Sequence, residues 1–478
     1  MNKFSEFILL HENDDTDRLL LNKAKYAGSG IDIALAVNTI LCRKKLRSKV
    51  PSFYSEPSLI YPRKLSAEQC SSEDSAQCKI ELILGLCQSA RPGKLRIADL
   101  TGGLGVDSAA FAAIAEKVLY NEMNPELAEA ARHNFAALGL GNITVSNTML
   151  VPEGEMSMHS IGMQDKAIST PSGLLSAFRP DIIFLDPARR AEDGKKVFLL
   201  EDCQPDILTL KDELLRLSRL VMVKLSPMAD IDMVVNRLGQ HCRIIETVSI
   251  KGECKELLAV LDREHTGECT ISANCNGNRF TFMRSEEAQA AHEPESSGSL
   301  PKGGQDKDFL LLEPDKALMK AAPFNLLCKR FGLTQLDSST HYFITGLKST
   351  GPSPHIEPGN PSDGQGHATA DGSMASSMRG FFKIFQVIKA VPLDKRSIKE
   401  FSREFPEAEV TARNIPMTSD MLRKKLGVSP SDEFHIFGLK VSRTDCLPVQ
   451  DSASSMEIHS SKAIKTSNWL FACRRLPM

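Results

Sequence analysis

The sequence predicts an α/β fold built on a doubly wound, mostly parallel sheet. Three observations carry that prediction. Between residues 93 and 264, strand-like apolar runs alternate with helical patterns. The first of these strands runs into a glycine-rich turn, Asp99-Leu100-Thr101-Gly102-Gly103-Leu104-Gly105-Val106-Asp107, which opens a helix. The last two strand patterns flank Lys251-Gly252-Glu253, a hairpin-length turn that makes one strand antiparallel.

In chain order the strands are expected at 94–100, 117–122, 142–146, 181–186, 220–226, 242–250 and 254–262. Helices are expected at 104–115, 125–138, 206–217 and 231–238, with an irregular segment after the third strand. Residues 150–172, rich in Met, Gly and Ser, read as a loop insertion.

The first 92 residues read as a helical region. Apolar residues recur at helical spacing over 17–23 and 31–45, while 51–54 and 60–62 read as extended connectors. The basic run Arg43-Lys44-Lys45-Leu46-Arg47-Ser48-Lys49 reads as a solvated helix face, or as a contact for substrate phosphate. A long helix is expected from 65 to about 90, with Ser66 and Gln69 as its capping box. The sharper reading is that this polar segment, Gln69 included, folds over a bound cofactor.

At 478 residues, with 42% hydrophobic and 25% charged residues, the composition is that of a soluble multidomain protein. A formal charge of −2 confines any nucleic-acid site to a local patch. No apolar run approaches the ~18 residues of a membrane span. The first apolar run is too short, and too soon acidic, for a secretory signal. Twelve cysteines occur without a C-x-x-C pair. No metal site is therefore expected, and reduced, buried thiols fit a cytoplasmic protein.

The glycine turn is the first candidate site. A glycine-rich strand-to-helix turn lets backbone N–H groups approach a ligand and exposes the positive end of the helix dipole. Asp99 stands at the C-terminal end of its strand, the edge at which open α/β sheets bind ligands. Glu122 ends the next strand, where on its own it reads as a negative charge before the helix opening at Pro125. Asp186-Pro187-Ala188-Arg189-Arg190 follows the apolar strand Ile182-Ile183-Phe184-Leu185, at the same edge.

Together these residues resemble the class I S-adenosylmethionine-dependent methyltransferases, a Rossmann-like, seven-stranded family. The resemblance implies that Asp99, Thr101, Gly102, Gly103, Gly105 and Asp107 form the cofactor loop and that Glu122 holds the ribose. It further implies that Asn147 contacts adenine; Met149 stands where many relatives carry Asp. Nucleic-acid methyltransferases carry an Asp-Pro-Pro tetrapeptide where this chain has Asp186-Pro187-Ala188-Arg189. Asp186 and Pro187 would orient an acceptor amine, and Arg189 would stack on a base or hold phosphate. Ala188 and Arg189 depart from the family's proline and aromatic. Methylation at pyrimidine C5 needs a cysteine nucleophile. The fifth strand ends in Lys224-Leu225-Ser226-Pro227 without one, and Cys203 reads as a structural thiol at a helix start. N-methylation is therefore preferred.

Beyond residue 264, strands are expected at 279–283, 309–314, 341–345, 380–390, 409–414, 433–439 and 469–474, with helices at 315–328, 395–405 and 421–426. Residues 285–306 and 349–378 read as disordered, low-complexity insertions, and His341 as a structural residue. Motifs along nearly the whole chain include Glu68-Gln69-Cys70-Ser71-Ser72-Glu73, Glu313-Pro314-Asp315-Lys316-Ala317-Leu318-Met319-Lys320-Ala321, Arg413-Asn414-Ile415-Pro416-Met417 and Leu422-Arg423-Lys424-Lys425-Leu426. They resemble the Bacteroidetes-type methyltransferases with a ferredoxin-like domain and a C-terminal THUMP-like domain. The expected division is 1–92 helical, 93–264 methyltransferase, 265–330 ferredoxin-like α+β and 331–478 THUMP-like. THUMP domains accompany RNA modification, so the resemblance implies a cytoplasmic enzyme acting on tRNA or rRNA. The alternatives are a protein or small-molecule methyltransferase and a catalytically silent, cofactor-binding RNA-binding protein.

Overall fold

The computed structural model describes residues 2–87, 94–155, 167–189, 200–292, 309–346, 378–442 and 467–476. They form two compact units, 1–250 with 255–270, and 251–254 with 271–478.

Seven strands of the first unit lie in one sheet. They are β1 (Leu95–Asp99), β2 (Ala115–Asn121), β3 (Ile143–Ser146), β4 (Ile182–Leu185), β5 (Leu220–Leu225), β6 (Cys242–Ile250) and β7 (Glu253–Asp262). Their spatial order is β3-β2-β1-β4-β5-β7-β6. Neighbours from β3 to β5 run parallel, and β7 runs antiparallel to β5. This is the doubly wound sheet with a reversed strand that the sequence predicts. The register sets Asp99 level with Tyr120 on β2 and Phe184 on β4. The residues just beyond these three strands, the glycine turn, Glu122 and Asp186, therefore share one edge.

Ile97, Val118, Phe184, Met222 and Val260 bury one face of the sheet against Ile83 and Phe111. Tyr120 packs with Ala131 and Phe135 of the helix Pro125–Ala137. The N-terminal region buries Leu46, Phe53 and Ala67 of its helices and Tyr61 of a connector against Leu104 and Val106 of the glycine turn. Helix starts follow cap chemistry. Asp32, Ser72, Asn124, Asp206 and Asp230 each accept a backbone N–H of the first turn.

Several local expectations are corrected. The segment after 64 is two helices, Lys64–Gln69 and Glu73–Leu86. Ser72 caps the second, with Glu73 and Asp74 favouring its N-terminus. Ser66 lies inside the first and caps nothing. Residues 51–55 are helical, with Pro51 pre-set for the first position. Asn2 caps a further helix, Lys3–Leu10. Cys203 is not at a helix start, because Asp206 caps the helix Ile207–Leu217. Within 150–172, Met149–Leu150 pairs with Ile168–Ser169, and Pro171–Leu175 is helical. The start of the polar stretch 285–306 is also helical, Arg284–His292; residues 293–308 lie outside the described residues, as does most of the insertion at 349–378.

The second unit begins with the paired strands β8 (Thr270–Cys275) and β9 (Asn278–Met283). It continues with β10 (Phe309–Pro314), β11 (Thr334–Gln335), β12 (Phe343–Gly346), β13 (Phe382–Pro392), β14 (Glu409–Arg413), β15 (Phe434–Val441) and β16 (Ser467–Arg475). The last seven form one sheet in the order β11-β12-β10-β13-β16-β15-β14. The helix expected at 315–328 is broken, because Pro323 follows Ala322 in a left-handed conformation. His341 likewise takes a positive φ before β12 and stacks on Phe324. Among the described residues no helix is long and apolar enough to cross a membrane, and no group of side chains could hold a metal ion.

Candidate active site at the carboxyl edge of the sheet

The glycine turn closes on itself, with the Gly105 N–H donating to Gly102 O at 2.9 Å and the Gly102 N–H to Asn121 O at 2.8 Å. Its three glycines serve different ends. A Cβ on Gly102 would stand 2.0 Å from the ring of Tyr120, which is fully buried and donates its hydroxyl to Gly103 O at 2.6 Å. A Cβ on Gly105, at φ +86°, would stand 2.6 Å from Phe135. These two glycines are required by packing. Gly103, at φ +53°, faces open space, its nearest neighbour being Thr101 O at 3.9 Å. It is the position where a ligand can lie against bare backbone.

Asp99 is buried and organises the turn. Its carboxylate accepts Ser108 Oγ–H at 2.6 Å and the Thr101 N–H at 3.1 Å. Burial pushes its carboxyl up to about 7, with the Ser108 hydrogen bond opposing and Asp107 reinforcing the rise. Thr101 in turn accepts the Asp186 N–H at 2.5 Å, which ties the glycine turn to the end of β4. Glu122 accepts the Gly103 N–H at 3.0 Å on one oxygen and the Asn124 N–H at 2.7 Å on the other. Asn124, not Glu122, caps the following helix. Asn147 is half-buried and donates to Glu122 O at 2.6 Å, so it stands beside the ribose candidate. Met149 belongs to the short pairing with Ile168.

Pro187 is buried and Asp186 half-buried. The backbone of Arg189 pairs with Cys203, and that of Ala188 with Gln204. This pairing brings Cys203 to the acceptor segment. The Arg189 side chain and Arg190 lie outside the described residues. Gln69 is exposed at the end of its helix. Ser71, two residues on, is the member of that segment that enters the site, donating to Asp107 at 2.7 Å. The basic run is largely spent internally. Arg43 lies over Tyr54 and near Glu12, Lys45 pairs with Glu68, and Lys49 donates to Glu68 O at 2.7 Å.

Sequence reasoning missed a buried charge cluster behind the turn. Lys79 is fully buried, with Nζ 3.2 Å from Asp107, 2.8 Å from Glu256 and 3.0 Å from Ser75 Oγ. Lys224 on β5 lies 2.6 Å from Asp186 Oδ2. Burial pulls the Lys79 ammonium down, but Asp107 and Glu256 outweigh it and hold it above its ordinary value. Burial likewise opposes the Lys224 ammonium, and Asp186, Asp107 and Glu256 raise it. Asp107 is penalised by burial yet held below the usual range by Lys79 and Lys224. The sequence signal was a lysine inside the apolar strand Leu-Val-Met-Val-Lys-Leu, and charges are rarely buried unless paired.

Comparison with known proteins agrees with this architecture. A ferredoxin-like domain model matches residues 310–348, and a THUMP-domain-like model matches 382–445. An uncharacterized S-adenosylmethionine-dependent methyltransferase of Mycobacterium tuberculosis (strain CDC 1551 / Oshkosh) is 25% identical over 334 residues, covering 69% of this chain and 72% of the relative. Its counterpart in strain H37Rv matches equally. A crystal structure from Porphyromonas gingivalis W83, described as a candidate methyltransferase, superposes with a TM-score of 0.67. It covers 99% of this chain and 98% of its own at 24% identity, a likeness of fold.

The site's residues fit S-adenosylmethionine. Gly103 leaves its face open, and each Glu122 oxygen, already holding one backbone N–H, retains a lone pair for a ribose hydroxyl.

Proposed function

We infer that this S-adenosylmethionine-dependent methyltransferase acts on RNA, N-methylating a base of tRNA or rRNA. The observation that carries the reading is the alignment of three strand ends. It sets the open Gly103, the diol-binding candidate Glu122 and the half-buried carboxylate of Asp186 along one edge. When bound, S-adenosylmethionine supplies a methyl group on a sulfonium, already a strong donor, so the protein's task is positioning. Asp99 and Thr101 hold the turn, and Thr101 fixes the backbone at Asp186. Asp186 accepts an N–H of the acceptor amine, which aims the nitrogen lone pair. The amine's proton leaves to water after transfer. The buried Pro187 fixes the chain direction after Asp186.

The THUMP-like match at 382–445 supports RNA as substrate. Within it the helix Ser419–Leu426 presents Lys424 and Lys425 exposed, available to phosphates. A base in a duplex hides its acceptor atom, so a single-stranded or flipped target is expected. The test is tritium transfer from labelled cofactor into total RNA of a strain lacking this gene, followed by nucleoside mass spectrometry. Incorporation that Asp186→Ala abolishes supports the reading. Cofactor binding without any change in the nucleoside profile would count against RNA and leave the protein or small-molecule alternatives.

A further inference from the structure

Lys224 occupies a strand that is otherwise apolar, and its side chain is 13% exposed. Its ammonium grips one oxygen of Asp186, Oδ2, at 2.6 Å. The Asp186 side chain keeps 35% exposure, and among the described residues nothing hydrogen-bonds to Oδ1. The carboxylate is thus half tied down and half presented. Asp107 and Glu256 also act on Lys224, and both are shared with Lys79. The two lysines thus face three carboxylates, and Lys224 is the cation in direct contact with Asp186.

We propose that Lys224 is a positioning residue that fixes Asp186 Oδ2 and cancels its charge, so that Oδ1 serves as an oriented acceptor for a substrate N–H and not as a counter-ion to a sulfonium. The proposal rests on the cofactor reading above. An unpaired carboxylate beside a sulfonium would stabilise the reactant most, because positive charge leaves the sulfur as the methyl moves. Stabilising the reactant more than the transition state slows the step. Pairing with Lys224 removes that preference and keeps the hydrogen-bonding geometry. It also selects the acceptor, since a fixed carboxylate oxygen only accepts hydrogen bonds and so favours an N–H donor over a carboxylate or phosphate, which has none to give.

The test needs no knowledge of the acceptor. S-adenosylmethionine carries one more positive charge than S-adenosylhomocysteine, so the ratio of their affinities reports the local charge. Titration calorimetry on the full chain would compare wild type with Lys224→Met, Lys224→Arg, Asp186→Asn and the double variant Lys224→Met/Asp186→Asn. Lys224→Met should shift the ratio toward the sulfonium ligand by about 10-fold or more, the effect of one unit charge about 10 Å away at an effective dielectric constant of about 20. Asp186→Asn should shift it the opposite way. Lys224→Arg and the double variant should keep the wild-type ratio. A purely structural role for Lys224 would weaken both ligands together at constant ratio, and that outcome overturns the proposal. Should Lys224→Met fail to fold, Lys224→Gln takes its place, with the same two outcomes. If wild type binds neither ligand, the cofactor reading falls and the proposal falls with it; if wild type binds both and the ratio is unmoved, the proposal alone falls.

Discussion

The three glycines of the turn make a prediction that separates packing from ligand contact. Gly102→Ala places a methyl 2.0, 2.3 and 2.6 Å from three ring atoms of Tyr120. The ring cannot swing away, because it is fully buried against Phe135 and anchored by its hydroxyl to Gly103 O. Relief requires moving the turn or β2 by more than an ångström, and overpacking of this kind costs about 1–3 kcal/mol, here toward the upper end. Gly103→Ala meets no such wall. Its stability cost is the left-handed penalty for an L side chain, roughly 1–2 kcal/mol. Its methyl, however, fills the space assigned to the cofactor, so affinity should fall by about 10-fold or more, each factor of ten being about 1.4 kcal/mol of lost contact. Urea denaturation followed by circular dichroism reads the first effect, and calorimetry with S-adenosylmethionine reads the second. Gly102→Ala should be the less stable and Gly103→Ala the weaker binder relative to its stability. If Gly103→Ala binds cofactor like wild type, the open face of the turn is not the cofactor's place and the assignment is wrong.

Other expectations follow from the buried charges. Lys79→Met takes from the buried Asp107 and Glu256 the cation in direct contact with both, leaving Lys224 alone to oppose them, and should cost about 3–5 kcal/mol in urea denaturation; a loss near zero would mean that the cluster is not charged. Asp99 protonates more readily folded than unfolded, its carboxyl being raised to about 7 by burial. Between about pH 4, the unfolded value, and pH 7 the native state binds the extra proton, so stability should fall as pH rises through that window and then level. Asp99→Asn should flatten that part of the stability profile measured by hydrogen exchange at β1. His435 has the opposite sign in effect. Burial pushes its imidazole down to about 4, and it stacks on Phe437 at 3.9 Å. Its neutral form is the native one, so the second unit should lose stability as pH falls from about 6.5 to 4. Fluorescence of Trp469, the sole tryptophan and a residue of β16, reads that unit, and an unchanged urea midpoint at pH 4.5 would refute the assignment.

The doubly wound sheet was legible in the sequence, because each strand and helix carries its own local signal. Ile182–Leu185 is apolar throughout, and Pro125 follows the cap residue Asn124. The glycine turn and the Asp186 segment were legible for the same reason. Each is a short run whose residue types are restricted by backbone geometry or chemistry. Local signals also failed locally. One apolar periodicity covers 65–86, and only the Ser71-Ser72-Glu73 sequence shows where it breaks. That break is what carries Ser71 to Asp107.

The sequence by itself determined the main strands and helices of the doubly wound sheet and the glycine turn after β1, since hydrophobic period, cap chemistry and glycine content act within a few residues. The tertiary structure decided why those glycines are glycines and what stands behind the Asp186 carboxylate. Tyr120 and Phe135 exclude a Cβ from Gly102 and Gly105, which no spacing rule reveals. Lys79 meets Glu256 across 177 positions, and Lys224 meets Asp186 across 38. The first pair exists because the helix Glu73–Leu86 packs on the sheet that holds Glu256, the second because parallel register sets β4 beside β5, and burial makes an unpaired charge too costly to keep.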